Sequence, residues 1–300
     1  MNTTIRTSVI NQIGHIELNR PQALNSLSLE MIRTLTATLT NWKSVPEIKA
    51  VLIYSSSERA FCAGGDIRSL WESGRTDGAE ACRFFRHEYR LNAAIAELPK
   101  PYVALLDGVT MGGGIGVSVH GSHRIVTEHA ALAMPETLIG FFPDVGGSIL
   151  LNNCPGEIGM YLGLTGARLN AADALYARFA THYLPAANLD PLRARLIAGE
   201  KLEALLMELT ADPGTSSLAQ YRATIDRVFA ADGVEDICAG LEQEGDWGRA
   251  TLAQLRARSP FALKLTFAQL RAGRGQSLRT GWCQHRAPRR EHGFGGRFHS

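Results

Sequence analysis

The chain has 300 residues, and a hydrophobic share of 45% is enough to bury a sizeable core, which excludes a wholly disordered polymer. Its 31 basic and 29 acidic side chains leave a formal charge of +2, which gives no support to a polyanion-binding role. Five cysteines (Cys62, Cys82, Cys154, Cys238, Cys283) form no C-x-x-C pair, so neither a disulfide framework nor a zinc knuckle is read from them. The polar segment Met1 to Val9 carries no apolar leader core, and no run approaches the roughly 18 apolar residues of a membrane span. These features give the expectation of a soluble cytoplasmic protein with no nucleic-acid or membrane partner.

In chain order, Ile13 to Leu18 reads as a strand ended by Asn19-Arg20-Pro21. Ser28 then caps a helix whose apolar stripe is Leu29, Ile32, Leu35, Leu39 and Trp42. Ala50 to Tyr54 is a continuous apolar run, the mark of a buried parallel strand, and Tyr102 to Leu106 repeats it. Arg124 to Thr127 and Ala131 to Met134 are shorter candidates. Strands separated by helical patterns predict an α/β layered fold with right-handed crossovers. From about Asn188 the strand signal ends, and Leu189–Ile197, Leu202–Leu209, Leu218–Phe229, Val234–Leu241 and Trp247–Leu255 read as helices. The division expected is an α/β core over residues 1–187, a helical region over 188–278 and an atypical basic tail over 279–300.

Two glycine-rich turns follow the two best strands: Phe61-Cys62-Ala63-Gly64-Gly65-Asp66, and Asp107-Gly108-Val109-Thr110-Met111-Gly112-Gly113-Gly114. Glycine admits close approach of a ligand to backbone N–H groups, and two such groups on one oxygen make an oxyanion hole. On the glycines alone, tight packing and turn geometry are the favoured reading. A dinucleotide fingerprint does not fit, because Val117 and Val119 stand where a third glycine is needed. A serine-hydrolase elbow fails at His120.

Glu136 and Asp144 lie eight residues apart in an apolar stretch, where desolvation would raise a carboxylate toward useful acid–base chemistry. Pro135 and Glu136 also suit a helix start. Glu88 falls on the apolar stripe Ala81, Phe84, Leu91, Ile95, Leu98, so it needs either a buried Arg partner or a task. His120 and His123 have no acidic partner at metal-ligand spacing and read as structural.

Taken together, Phe61 to Arg68, Met111 to Gly116, Met134-Pro135-Glu136-Thr137 and Phe142-Pro143-Asp144-Val145-Gly146-Gly147 resemble the crotonase (enoyl-CoA hydratase/isomerase) superfamily. The resemblance implies a spiral of ββα units with a helical C-terminal region, and an acyl-CoA substrate whose thioester oxygen is held by the N–H groups of Gly65 and Gly113. It places the Asp66–Ile67 backbone near the adenine. It implies no cofactor beyond the coenzyme A of the substrate, no metal, and a homo-oligomer among the partners. Hydratases of the family carry a second glutamate where this chain has Gly116. The pattern instead resembles the hydrolase branch, whose members cleave 3-hydroxyisobutyryl-CoA and line the acyl site with residues matching Glu88, Glu136 and Asp144. An isomerase or hydratase on the same fold, and an inactive CoA-binding or assembly subunit, are the alternatives.

After about Leu278 the chain departs from the family pattern, as a frameshift or a replaced tail would produce. Residues 271–300 hold seven arginines and one acid, Glu291, a balance of +6 against −4 for residues 1–270. The near-neutral total averages an acidic body and a basic end.

Overall fold

The computed structural model describes residues 3–274; the basic tail expected over 279–300 lies outside them. Nine strands divide between two sheets. The larger holds, in spatial order, β1 (Ile5–Ile10), β2 (Ile13–Leu18), β3 (Ala50–Ser55), β5 (Tyr102–Leu106), β7 (His123–Val126) and β9 (His182–Tyr183). Only its β1–β2 pair is antiparallel. The smaller is wholly parallel, with β4 (Ala60–Cys62), β6 (Val109–Met111) and β8 (Ala131–Ala133). Strands β3, β5 and β7 each lead into one short strand of the second sheet, so each turn of the chain lays one strand in each sheet. This is the spiral of ββα units, within an α/β fold, that the resemblance implies.

The central strands β3 and β5 of the large sheet are buried on both faces, which explains their unbroken apolar runs. Val51, Ile53, Tyr102, Ala104 and Leu106 face the core shared with α1 (Leu29–Lys43) and α3 (Ala79–Ala96). The alternate residues Leu52, Val103 and Leu105 face a second core, closed by Leu192 and Leu196 of α8 (Leu189–Ile197) and Leu205 and Leu206 of α9 (Leu202–Leu209). Ser28 caps α1 by accepting from the Met31 N–H, and Ile32, Leu35, Leu39 and Trp42 are buried as the stripe predicts; Leu29 is half-buried.

Short helices fill the turns of the spiral: α2 (Ile67–Gly74), α4 (Gly113–Gly116), α5 (Gly147–Asn152), α6 (Ile158–Thr165) and α7 (Ala171–Tyr176). Helices α10 (Ser217–Val228), α11 (Val234–Leu241), α12 (Gly245–Arg256) and α13 (Pro260–Ala272) complete the described chain. They join the first core through Ile225, Ile237, Leu252 and Leu270, so the helical region shares the interior of the sheets.

Sequence reading passed over β1, β4, β6 and β9. Only Ile5 of β1 is buried, so its pattern carries no apolar alternation. The others are two or three residues long, below the length at which periodicity is readable.

Candidate active site

The site forms where the three strands of the small parallel sheet end. Pairing of Cys62 with Thr110, and of Met111 with Ala133, brings the segments that follow them side by side. Those segments are Gly64-Gly65, Gly112-Gly113 and Pro135-Glu136. Ligands of parallel sheets sit beyond the carboxyl ends of strands, and these three ends line a cavity of about 820 Å³. Ile67, Phe84, Phe85, Glu88, Phe141 and Asp144 complete much of its wall.

Two glycines set the backbone here by conformation. Gly64 has φ +107°, and Gly112 has φ +48° with ψ −117°. Past Gly64 the chain bridges Leu27: the Leu27 N–H donates to the Gly64 carbonyl at 2.7 Å and the Asp66 N–H to the Leu27 carbonyl at 3.0 Å. The Gly65 N–H therefore faces the other way. Gly113 opens α4, where a first-turn N–H has no intrahelical acceptor. A Cβ on Gly113 would stand 3.2 Å from the Gly65 nitrogen, so the two amides are neighbours. Neither has an acceptor among the described residues. This is a pair of donors ready for one developing oxyanion.

Three carboxylates share the cavity. Glu136 heads a 3-10 turn (Glu136–Ile139) with Pro135 just before it, so Pro135 stands outside the helical residues. A Cβ on Gly112 would lie 3.1 Å from Glu136 Oε1, which places this carboxyl beside the amide pair, and its Oε2 has no partner. Burial, with Asp144 nearby, pushes the Glu136 pKa up to about 8. Asp144 accepts a hydrogen bond from the Tyr89 hydroxyl at 2.8 Å. Burial raises its pKa to about 6, against the lowering effect of that bond.

Glu88 is buried on α3 with Oε1 unpartnered. Among the described residues it makes no ion pair, so the buried-Arg explanation does not hold. Burial, then Asp144 and Glu136, raises its pKa well above the ordinary range. A Cβ on Gly113 would meet Glu88 Oε1 at 2.5 Å, so Glu88 backs the amide pair.

Ile67 lines the cavity and is about half exposed at its rim. Asp66 does not join the lining: its carboxylate caps α2 by accepting from the Ser69 N–H and pairs with Arg20 at 2.8 Å. Cys62 is buried, and its thiol is pushed up to about 12, which makes it inert packing. Among the described residues no group of three His, Cys, Asp or Glu could hold a metal ion, and no helix is long and apolar enough to cross a membrane. Sequence reasoning missed Tyr89, next to Glu88 and half-buried; its partner lies 55 residues away, beyond any local signal.

The fold and this site define an enzyme of the crotonase type. The sequence pattern of the enoyl-CoA hydratase/isomerase family matches residues 13–284, and the chain belongs to that family. It is 43% identical over 276 residues to the mitochondrial 3-hydroxyisobutyryl-CoA hydrolase of Xenopus tropicalis, across 88% of this chain and 72% of the relative. It is 37% identical to small ribosomal subunit protein mS47 of Neurospora crassa, across 94% of this chain and 60% of the relative. A solved carnitinyl-CoA dehydratase from Mycobacterium thermoresistibile superposes with a TM-score of 0.90 at 41% identity, over 93% of this chain and 82% of that one. The expectation of a cytoplasmic location is overturned: the hydrolase relative is mitochondrial by name. Cysteine usage carries no signal that separates the cytoplasm from the mitochondrion.

Proposed function

We propose that the chain hydrolyses a short acyl-CoA thioester, with 3-hydroxyisobutyryl-CoA as substrate, giving 3-hydroxyisobutyrate and CoA. The observation that carries the reading is the pairing of two acceptor-free amides, Gly65 and Gly113, with one carboxylate, Glu136, beside them. The two N–H groups hold the thioester oxygen as charge develops on it; a donor of this kind contributes on the order of 3 kcal/mol. Ionised Glu136 drives attack at the carbonyl carbon, through its own oxygen or through a water that it deprotonates. Attack gives a tetrahedral oxyanion whose collapse breaks the C–S bond; where Glu136 itself attacks, water then cleaves the acyl-Glu136 anhydride, and on either route water supplies the proton that leaves with the thiol. Asp144, steadied by Tyr89, takes the hydroxyl of the acyl group, and Glu88 supports the Gly113 amide. Ile67 and the backbone of Asp66 lie toward the coenzyme A end.

Hydration by a glutamate pair is disfavoured on steric grounds. A Cβ at Gly116, where a hydratase carries its second carboxylate, would stand 2.8 Å from the Val145 Cβ and 2.9 Å from Asn92 Nδ2.

The test is thiol release from 3-hydroxyisobutyryl-CoA beside hydration of crotonyl-CoA. Wild type is expected to release thiol, and Glu136→Gln to lose that activity with its fold intact. Undiminished release by Glu136→Gln would overturn the assignment. A wild type that binds CoA esters and releases no thiol would instead mark an assembly subunit.

A further inference from the structure

Asp144 is followed by a residue held in an unfavourable conformation. Val145 has φ +43°, in the left-handed region, where a β-branched side chain is strained. The carbonyl of Val145 lies 2.7 Å from His120 Nε2, and since a carbonyl only accepts, Nε2 carries the proton. The side chain of Val145 closes onto Gly116, where the missing Cβ makes the room. The Gly116 carbonyl in turn accepts from Asn92 Nδ2 at 2.9 Å. Asn92 stands one turn beyond Glu88 on α3, the helix that also presents Tyr89 to Asp144. Burial pushes the His120 pKa down to about 4, so a neutral imidazole makes this bond at physiological pH.

We propose that His120 is a positioning residue: its bond to the Val145 carbonyl keeps that strained backbone in place and so aims the Asp144 carboxylate at Tyr89 and the acyl pocket. The kinetic part rests on the hydrolytic reading of the site; the positional part does not.

The test compares His120→Ala, His120→Gln, Val145→Gly and the double variant His120→Ala/Val145→Gly in the full chain. Two readouts are taken: kcat and KM for thiol release, and the titration of Asp144 by carboxyl 13C NMR, assigned with Asp144→Asn. His120→Ala is expected to lower kcat about 10- to 100-fold with KM changed less than about threefold, as misplacement of a reacting group does. In wild type, Asp144 faces Tyr89, Glu88 and Glu136, while His120 faces Arg124. Once Asp144 swings toward water its titration moves down. His120→Gln, whose amide also donates, recovers most of both properties. Glycine adopts positive φ without strain, so His120→Ala costs less activity beside Gly at 145 than beside Val145.

An unchanged Asp144 titration in His120→Ala, or equal losses in both backgrounds, would overturn the proposal. If His120→Ala does not fold, His120→Met, which fills the space without a donor, is set against His120→Gln. If wild type releases no thiol, the hydrolytic reading falls, and the Asp144 titration decides the positioning.

Discussion

Glu136 holds its proton to about pH 8 in the folded chain, whereas a freely solvated glutamate loses it near 4.5. A carboxyl whose pKa is raised by folding stabilises the folded state fully below its unfolded pKa, and that contribution is lost as pH rises through the folded value. Wild type should therefore lose stability between about pH 5 and pH 8 through this one group, by an amount on the order of a few kcal/mol. Glu136→Gln cannot ionise, so its denaturant midpoint should fall less over that window; equal slopes for the two proteins would refute the burial argument. On the proposed reaction activity runs the opposite way, because Glu136 must be ionised to act, and kcat/KM should climb with pH toward 8. At this scale Glu136, Asp144, Gly65 and Gly113 were legible from motif position, and Glu88 from its place on an apolar stripe. Tyr89 was not, because it stands beside the stripe and the Asp144 carboxylate it bonds is remote in sequence. Nor was the part played by His120, whose partner Val145 lies 25 residues on and whose strain is a backbone property invisible in composition.

Among the elements, the short strands decide where the groups of the candidate site meet. Three residues of β4, three of β6 and three of β8 set three chain ends side by side, and α4 leaves directly from the second. The closeness of α4 to β4 depends on Gly114, since a Cβ there would collide with the carbonyl of Cys62. Gly114→Ala must push α4 away and carry the Gly113 amide with it. The expected result is a loss of at least about 2 kcal/mol in a denaturant melt together with loss of thiol release. Retention of both would show that β4 and α4 can separate without harm. Elements with a regular apolar pattern announced themselves in the sequence, as α1, β5, α8, α9 and α11 did, whereas the six-residue β1, with only Ile5 buried, did not. Of the strands that build the site, β8 is legible as Ala131 to Met134, while the three residues of β4 and of β6 are too few for a readable period and are fixed by the tertiary spiral.

For the whole molecule, the large sheet has one face toward the core shared with α1 and α3 and another toward α8 and α9. Near residue 188 the chain changes element type, yet its helices close cores that the sheets began. Stability and chemistry should therefore separate by face. Leu205 is fully buried under the far face, so Leu205→Ala should cost about 2–5 kcal/mol in a denaturant melt. Its kcat, measured well below the melting range, should match wild type; a parallel loss would mean that the far face tunes the site.

Three acids in one apolar chamber also bear on what happens after the reaction. A thioester enters that chamber without charge at its acyl end, and on the proposed reaction the acid leaves it as an anion. That product is born among Glu88, Glu136 and Asp144, where Asp144 already raises the pKa of Glu88 and of Glu136, and Glu136 that of Glu88. Like charges disfavour its staying, so the site that makes the acid also expels it. Free 3-hydroxyisobutyrate should inhibit weakly at pH 8 and more strongly as pH falls and the chamber takes up protons. Inhibition independent of pH would remove this link. On that reaction, turnover is driven outward by the same buried carboxyls that begin it.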